Sequence, residues 1–119
     1  MKRNFDLIRS LLIEIELCED TAGNYAPKIA GHADRTIQYH LHLLFEAGLI
    51  TGIPIKTMGD YPKLRQLNLT WTGHDFLDSA RNDKVWNVAI QKVKDTVGSA
   101  SIEVVKKVLV SSSLELLGL

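Results

Sequence analysis

The side chains with the richest chemistry are four histidines (His32, His40, His42 and His74), one cysteine (Cys18) and the adjacent pair His74-Asp75. A metal ion needs three or four such groups converging on one point. His40 and His42 lie two residues apart, which on a helix turns them about 200° from each other. His32 and His74 have no carboxylate or thiol partner at ligand spacing. His74-Asp75 has the components of an acid–base pair, yet neighbours on a helix diverge by about 100°. No nucleophile or glycine-rich phosphate loop accompanies them. No metal, no cofactor and no catalytic residue is expected, and the chain is not expected to be an enzyme. Cys18 closes an apolar periodic segment, where a small buried side chain is the expectation.

Recognition chemistry is better represented. Arg35, Thr36, Gln38, Tyr39 and His42 share the outer side of one amphipathic segment. Arginine suits guanine, glutamine suits adenine, and hydroxyls suit phosphate. Lys56, Lys63 and Arg65 flank a turn cluster, where cations commonly grip phosphate or the minor groove. Both groups also have plain uses, as a solvated helix face and as charge that protects a sheet edge. Glu46, on the same side as Arg35, would repel phosphate and confines contact to the N-terminal half of the segment.

The elements that would carry these residues can be read from periodicity. Phe5, Ile8, Leu11, Leu12, Ile15 and Cys18 recur in steps of three and four, with Asn4 placed to cap the helix they define. Glu19 to Asn24 is rich in turn formers and ends it. Residues 25–32 stay open between a short strand and one turn of helix begun at Pro27, with an extended piece and a turn at Gly31 preferred. From Ala33 to Ala47, Ile37, Leu41 and Leu44 form a line that His40 flanks, and Gly48 stops the helix. Ile50–Thr57 and Leu64–Leu69 read as strands around the turn cluster Met58–Pro62, with Pro54 requiring an edge. Thr72 and Asp75 fit a loose capping box for a helix carrying Phe76, Leu77 and Ala80. Asn82-Asp83 breaks it. Trp86, Ala89, Ile90, Val93 and Val97 then mark another helix, closed by Gly98. A last helix runs from Ser101 to about Leu117, with Ile102, Val105, Leu109 and Leu116 on one side. Trp71 and Trp86 are expected to be core or inter-helix packing residues, the alternative being an exposed partner site.

Two fragments in this order carry a resemblance. Thr36-Ile37-Gln38-Tyr39-His40-Leu41-His42-Leu43-Leu44-Phe45-Glu46-Ala47-Gly48-Leu49-Ile50 resembles the recognition helix of winged-helix regulators. Leu67-Asn68-Leu69-Thr70-Trp71-Thr72-Gly73-His74-Asp75-Phe76-Leu77 resembles the exit from their wing. Over its length, from Met1-Lys2-Arg3-Asn4-Phe5-Asp6-Leu7-Ile8-Arg9 through Arg81-Asn82-Asp83-Lys84-Val85-Trp86, the chain is similar to domain-of-unknown-function family 2513. That resemblance implies an origin in bacteria or their phages and carries no activity. The fold expected is α+β and mostly helical: a winged helix-turn-helix-like domain over residues 1–80, with a C-terminal helical extension over 81–119 in the same compact unit. One departure stands out. Only about 14 residues separate the first two clear helices, too few for a full supporting helix of the kind that presents a recognition helix to the major groove.

At 119 residues there is room for one domain, which would bury roughly two thirds of its unfolded surface. Fourteen basic side chains balance fourteen acidic ones, so indiscriminate coating of nucleic acid is not expected. Along the chain, residues 1–20 carry net −2, residues 21–70 net +2, and residues 71–119 are balanced. No apolar run approaches the ~18 residues of a membrane span, and the charged start does not fit a signal peptide. A cytoplasmic protein is expected. The final helix holds more valine and leucine than one face can bury, so Val105, Val108, Leu109 and Leu116 are expected at a homo-oligomer contact. The leading expectation is a module for double-stranded DNA, a phage or prophage type of transcription regulator. The alternative is a protein-interaction module that keeps the fold without binding DNA.

Overall fold

The computed structural model describes residues 2–18, 26–56, 63–97 and 101–118. Its elements run α1 (Phe5–Leu17), α2 (Asp34–Glu46), β1 (Ile50–Ile55), β2 (Lys63–Leu69), α3 (Trp71–Ala80), α4 (Asp83–Val97) and α5 (Ile102–Leu117). The architecture is α+β and mostly helical, as expected. The chain divides into two compact units, Met1–His74 and Asp75–Leu119, with the division inside α3. The expected turns at Glu19–Asn24 and Met58–Pro62 and the stop at Gly98 lie outside the described residues.

In the first unit α1 is capped by Asn4, whose Oδ1 accepts from the Leu7 N–H at 3.1 Å. Leu7, Ile8, Leu11, Leu12 and Ile15 form its buried stripe, each contributing about 1.5–3 kcal/mol through burial. α1 packs on α2 and β2, and α2 packs on both strands. Residues 26–29 form no regular element, and the chain turns at Ala30-Gly31, where Gly31 adopts φ +84°. The His32 N–H closes this turn on the Ile29 carbonyl at 3.2 Å. Among the described residues no helix stands between α1 and α2.

α2 buries Ile37, His40, Leu41 and Leu44, the line the spacing predicts. Gly48 follows at φ +77°, where a side chain would be strained. The strands pair antiparallel, with Ile50 opposite Leu69 and Ile55 opposite Lys63. Between Thr51 and Ile53 the register slips by one residue on β2, and Gln66 takes up the slack at φ 53°. Leu64 and Leu67, three apart, are therefore both buried, which accounts for the imperfect alternation of β2. Gly52 faces this bulge, where an added Cβ would lie 3.2 Å from Leu67 and 3.3 Å from Leu64.

The hairpin leads directly into α3, and its cap differs from expectation. Thr70, not Thr72, is the capping residue: its Oγ1 accepts from the Gly73 N–H at 3.0 Å and donates to the Gly48 carbonyl at 2.6 Å. The Thr70 N–H also donates to the Leu49 carbonyl at 3.0 Å. Gly73 is the residue that permits this approach, because a Cβ there would collide with the Leu49 carbonyl. The Leu-Thr-x-x-Gly sequence thus clasps the start of α3 to the end of α2. Trp71 is a second correction. As the first residue of α3 it turns away from the core and is 84% exposed.

In the second unit Asn82 caps α4 by accepting from the Val85 N–H at 3.1 Å, so the expected break is a cap. Val85, Trp86, Ala89 and Val93 are buried on α4, and Val105, Leu109 and Ser112 on α5. The two helices pack together, and Lys92 reaches Glu115 at 3.1 Å. Leu116, one turn past Ser112, lies where this buried line ends and is half exposed.

Candidate nucleic-acid interface

α2 presents its polar side as the spacing predicts. Arg35 is exposed, while Thr36, Gln38 and Tyr39 are partly exposed. They occupy the first two turns, and Arg35 and Tyr39 each make a further interaction within the protein. His42 differs from expectation. Its Nε2 meets Glu46 Oε1 at 2.9 Å with only 29% of the side chain exposed, so it is drawn along the helix towards the C-terminal end. Glu46 engages His42 there, and the face open to a ligand contracts to residues 35–39.

The opposite side of α2 is held by an arrangement that the sequence did not reveal. His40 is fully buried. The Asn4 N–H donates to its Nε2 at 2.9 Å, which leaves Nδ1 to donate to the Thr36 carbonyl at 2.8 Å. The imidazole is therefore the neutral Nδ1–H form, used as a bracket between the entry to α1 and the first turn of α2. The Tyr39 ring meets it edge-on at a centroid distance of 5.5 Å.

On the hairpin, Lys63 and Arg65 are exposed and share the outer face with Ile55 and Ile53, their cross-strand partners. Lys56 is exposed just beyond β1. Among the described residues these three cations form no ion pair, and the described part of the hairpin contains no carboxylate. The remaining histidines do not converge with them. His32 is partly exposed in the turn before α2, and His74 Nδ1 lies 3.8 Å from Glu16 of α1, a long-range neighbour invisible in local spacing. Among the described residues no three potential metal ligands cluster, and no helix is long and apolar enough to cross a membrane.

Two residues expected at a subunit contact are instead interior. Val105 and Leu109 are wholly buried within the chain, because they form the α5 side that packs on α4. Val108 is partly exposed and Leu116 half exposed. The apolar surplus of α5 lies elsewhere, on Val104, Val110, Leu114 and Leu117, which are 43–72% exposed.

Two helices packed through their apolar sides, followed by an antiparallel hairpin clasped to a third helix, define an α+β helix–hairpin domain whose second helix keeps a polar outer side. The chain belongs to the family described as "Hypothetical protein (DUF2513)", which matches residues 2–100. It is also similar to a Haemophilus influenzae (strain Rd) protein named "Uncharacterized protein", 38% identical over 109 residues, which cover 91% of this chain and 92% of the relative. No solved structure matches it.

Proposed function

We propose that the first unit is a winged-helix module for double-stranded DNA, serving a phage or prophage type of regulator. α2 enters the major groove by its N-terminal half, with Arg35 and Gln38 towards base edges and Thr36 and Tyr39 towards phosphate. Lys56, Lys63 and Arg65 of the hairpin grip the backbone on either side. The observation that carries this reading is the pairing of two surfaces: a polar helix face, and a hairpin whose described residues include three cations and no acid. The described residues place no supporting helix between α1 and α2, and the His40 bracket fixes α2 in its stead. The test is a gel shift with pooled duplexes at two salt concentrations. Wild type binds, and the double variant Arg35→Ala, Lys63→Ala lowers the salt slope by about 2, one for each phosphate no longer neutralised. Absence of any shift at low salt overturns the reading.

A second reading, protein recognition without DNA, draws support from the exposed Trp71, Leu17 and Ile53 in the first unit. Capture of a protein partner that Trp71→Ser abolishes, with no duplex binding, is the result that favours it. Under either reading we infer that α5 pairs with a second copy through Val110, Leu114 and Leu117. These residues recur in steps of four and three along one side of the helix. Light scattering should give a dimer that Leu114→Lys, Leu117→Lys converts to a monomer. A monomeric wild type removes the inference.

A further inference from the structure

Counting charge along the chain hides a rearrangement that folding makes. The first twenty residues are net negative, and Lys2 and Arg3 belong to that stretch. Of its acids, Glu14 and Glu16 lie in the last turns of α1, at the other end of the helix from them. The Asn4 N–H is bound to His40 Nε2 at 2.9 Å, and His40 Nδ1 to the Thr36 carbonyl at 2.8 Å. These two bonds fix the chain immediately after Arg3 against the first turns of α2. Consecutive Cα atoms are about 3.8 Å apart, so both basic residues begin within about 8 Å of that anchor. Both are exposed. The Arg3 guanidinium lies 5.7 Å from the Phe5 ring centroid, a cation–π contact that restrains its side chain. Among the described residues neither forms an ion pair.

The consequence is electrostatic. Among the described residues, the exposed carboxylates around the start of α2 are Asp6, in the first turn of α1, and Asp34, in the first turn of α2. Against them stand Arg35 of α2 and the part-exposed Arg9, one turn beyond Asp6 on α1, so without further cations the edge is balanced. With Lys2 and Arg3 the balance becomes four cations to two carboxylates, and the edge turns positive.

We propose that Lys2 and Arg3 form a basic arm, pinned beside the N-terminal turns of α2 by the Asn4–His40 hydrogen bond, that contacts DNA phosphates bordering the groove α2 enters. It rests on the duplex-binding reading above and adds a third point of contact to the helix and the hairpin. The arm reads charge and not sequence, so its removal weakens all duplexes alike.

The test compares four full-length proteins for duplex binding between about 50 and 300 mM salt, the range where counterion release is steep: wild type, Lys2→Ala with Arg3→Ala, Arg35→Ala with Lys63→Ala, and Lys84→Ala with Lys94→Ala. The last pair lies on α4 and removes the same charge elsewhere. Affinity scales as salt to the power of about −0.9 per phosphate neutralised, so each is worth up to ~8-fold at 0.1 M relative to 1 M salt. The arm variant should lose roughly 10–60-fold at 0.1 M and flatten the slope by about 2, while the α4 variant stays near wild type. If the helix–hairpin variant weakens binding but the arm variant does not, the arm proposal fails and the duplex reading stands. Equal losses in the arm and α4 variants reduce the effect to net charge and also overturn the arm. A wild type that binds no duplex overturns both. Matching melting curves for wild type and the arm variant exclude unfolding as the cause.

Discussion

Replacing Gly73 by alanine is expected to unlock the junction between the end of α2 and the start of α3. In an ordinary helix this change is favourable by about 1 kcal/mol, because alanine restricts the unfolded chain and suits the helix. At Gly73 the methyl group would overlap the Leu49 carbonyl oxygen and lie 3.0 Å from its carbon. Both are backbone atoms and have no rotamer to escape into. The first turn of α3 must back away, which stretches the Thr70 N–H bond to Leu49 at 3.0 Å and the Thr70 hydroxyl bond to Gly48 at 2.6 Å. Two such bonds are worth about 1–3 kcal/mol together, and the Thr70 cap about 1 more. Less the helix gain, Gly73→Ala should destabilise by about 1–3 kcal/mol, roughly 5–10 °C in melting temperature. Urea and thermal melts followed by far-UV circular dichroism read this directly. Gly52→Ala is the matched comparison: its added methyl would meet the mobile end of Leu67 at 3.2 Å and the Leu64 Cβ at 3.3 Å, tight contacts without the outright overlap found at Gly73. Its loss should be smaller. A Gly73→Ala protein as stable as wild type refutes the argument.

His40→Leu should cost about 2–3 kcal/mol despite its apolar gain, since it leaves the Asn4 N–H without an acceptor; faster hydrogen exchange at the Asn4 amide reports the broken bracket, and unchanged exchange contradicts it. Leu109→Ala should destabilise by about 2–5 kcal/mol, as deletion of a fully buried leucine does. Trp71→Ser, in contrast, should stay within about 0.5 kcal/mol of wild type. Comparable losses in these two variants would place Trp71 in the core after all.

Much of the fold was legible because its signals are local. Ile37, Leu41 and Leu44 give the phase of α2, Gly48 gives its end, and Asn4 gives the cap of α1. Each of these depends on residues within a turn or two. The misreadings come from long-range geometry. Thr72 looks like a cap until Thr70 is seen bonded to Gly48, 22 residues away. Trp71 looks like a core residue because size and apolarity mark it so, but the clasp at Gly73 turns the first residue of α3 outward. On α5, valine and leucine occupy nearly every side, and periodicity alone could not choose which of them α4 would cover. The polar face of α2 was readable as a set, whereas the pull of Glu46 on His42 and the hold of His40 on Asn4 depend on how the folded chain places them. The basic arm was hidden for the same reason, since linear charge counts assign a residue to its neighbours in sequence.

The extra residue in β2 has a consequence for the direction of the hairpin. Removing Gln66 would leave Leu64 and Leu67 two apart, both still inward, with Lys63 and Arg65 still outward on a fully regular ladder. Composition of the two faces would not change. What would change is curvature, because a bulge bends its strand and sharpens the local twist. A one-residue deletion is thus a steering change: it re-aims the far end of the hairpin, with Lys56 and Lys63, while altering none of the charges it carries.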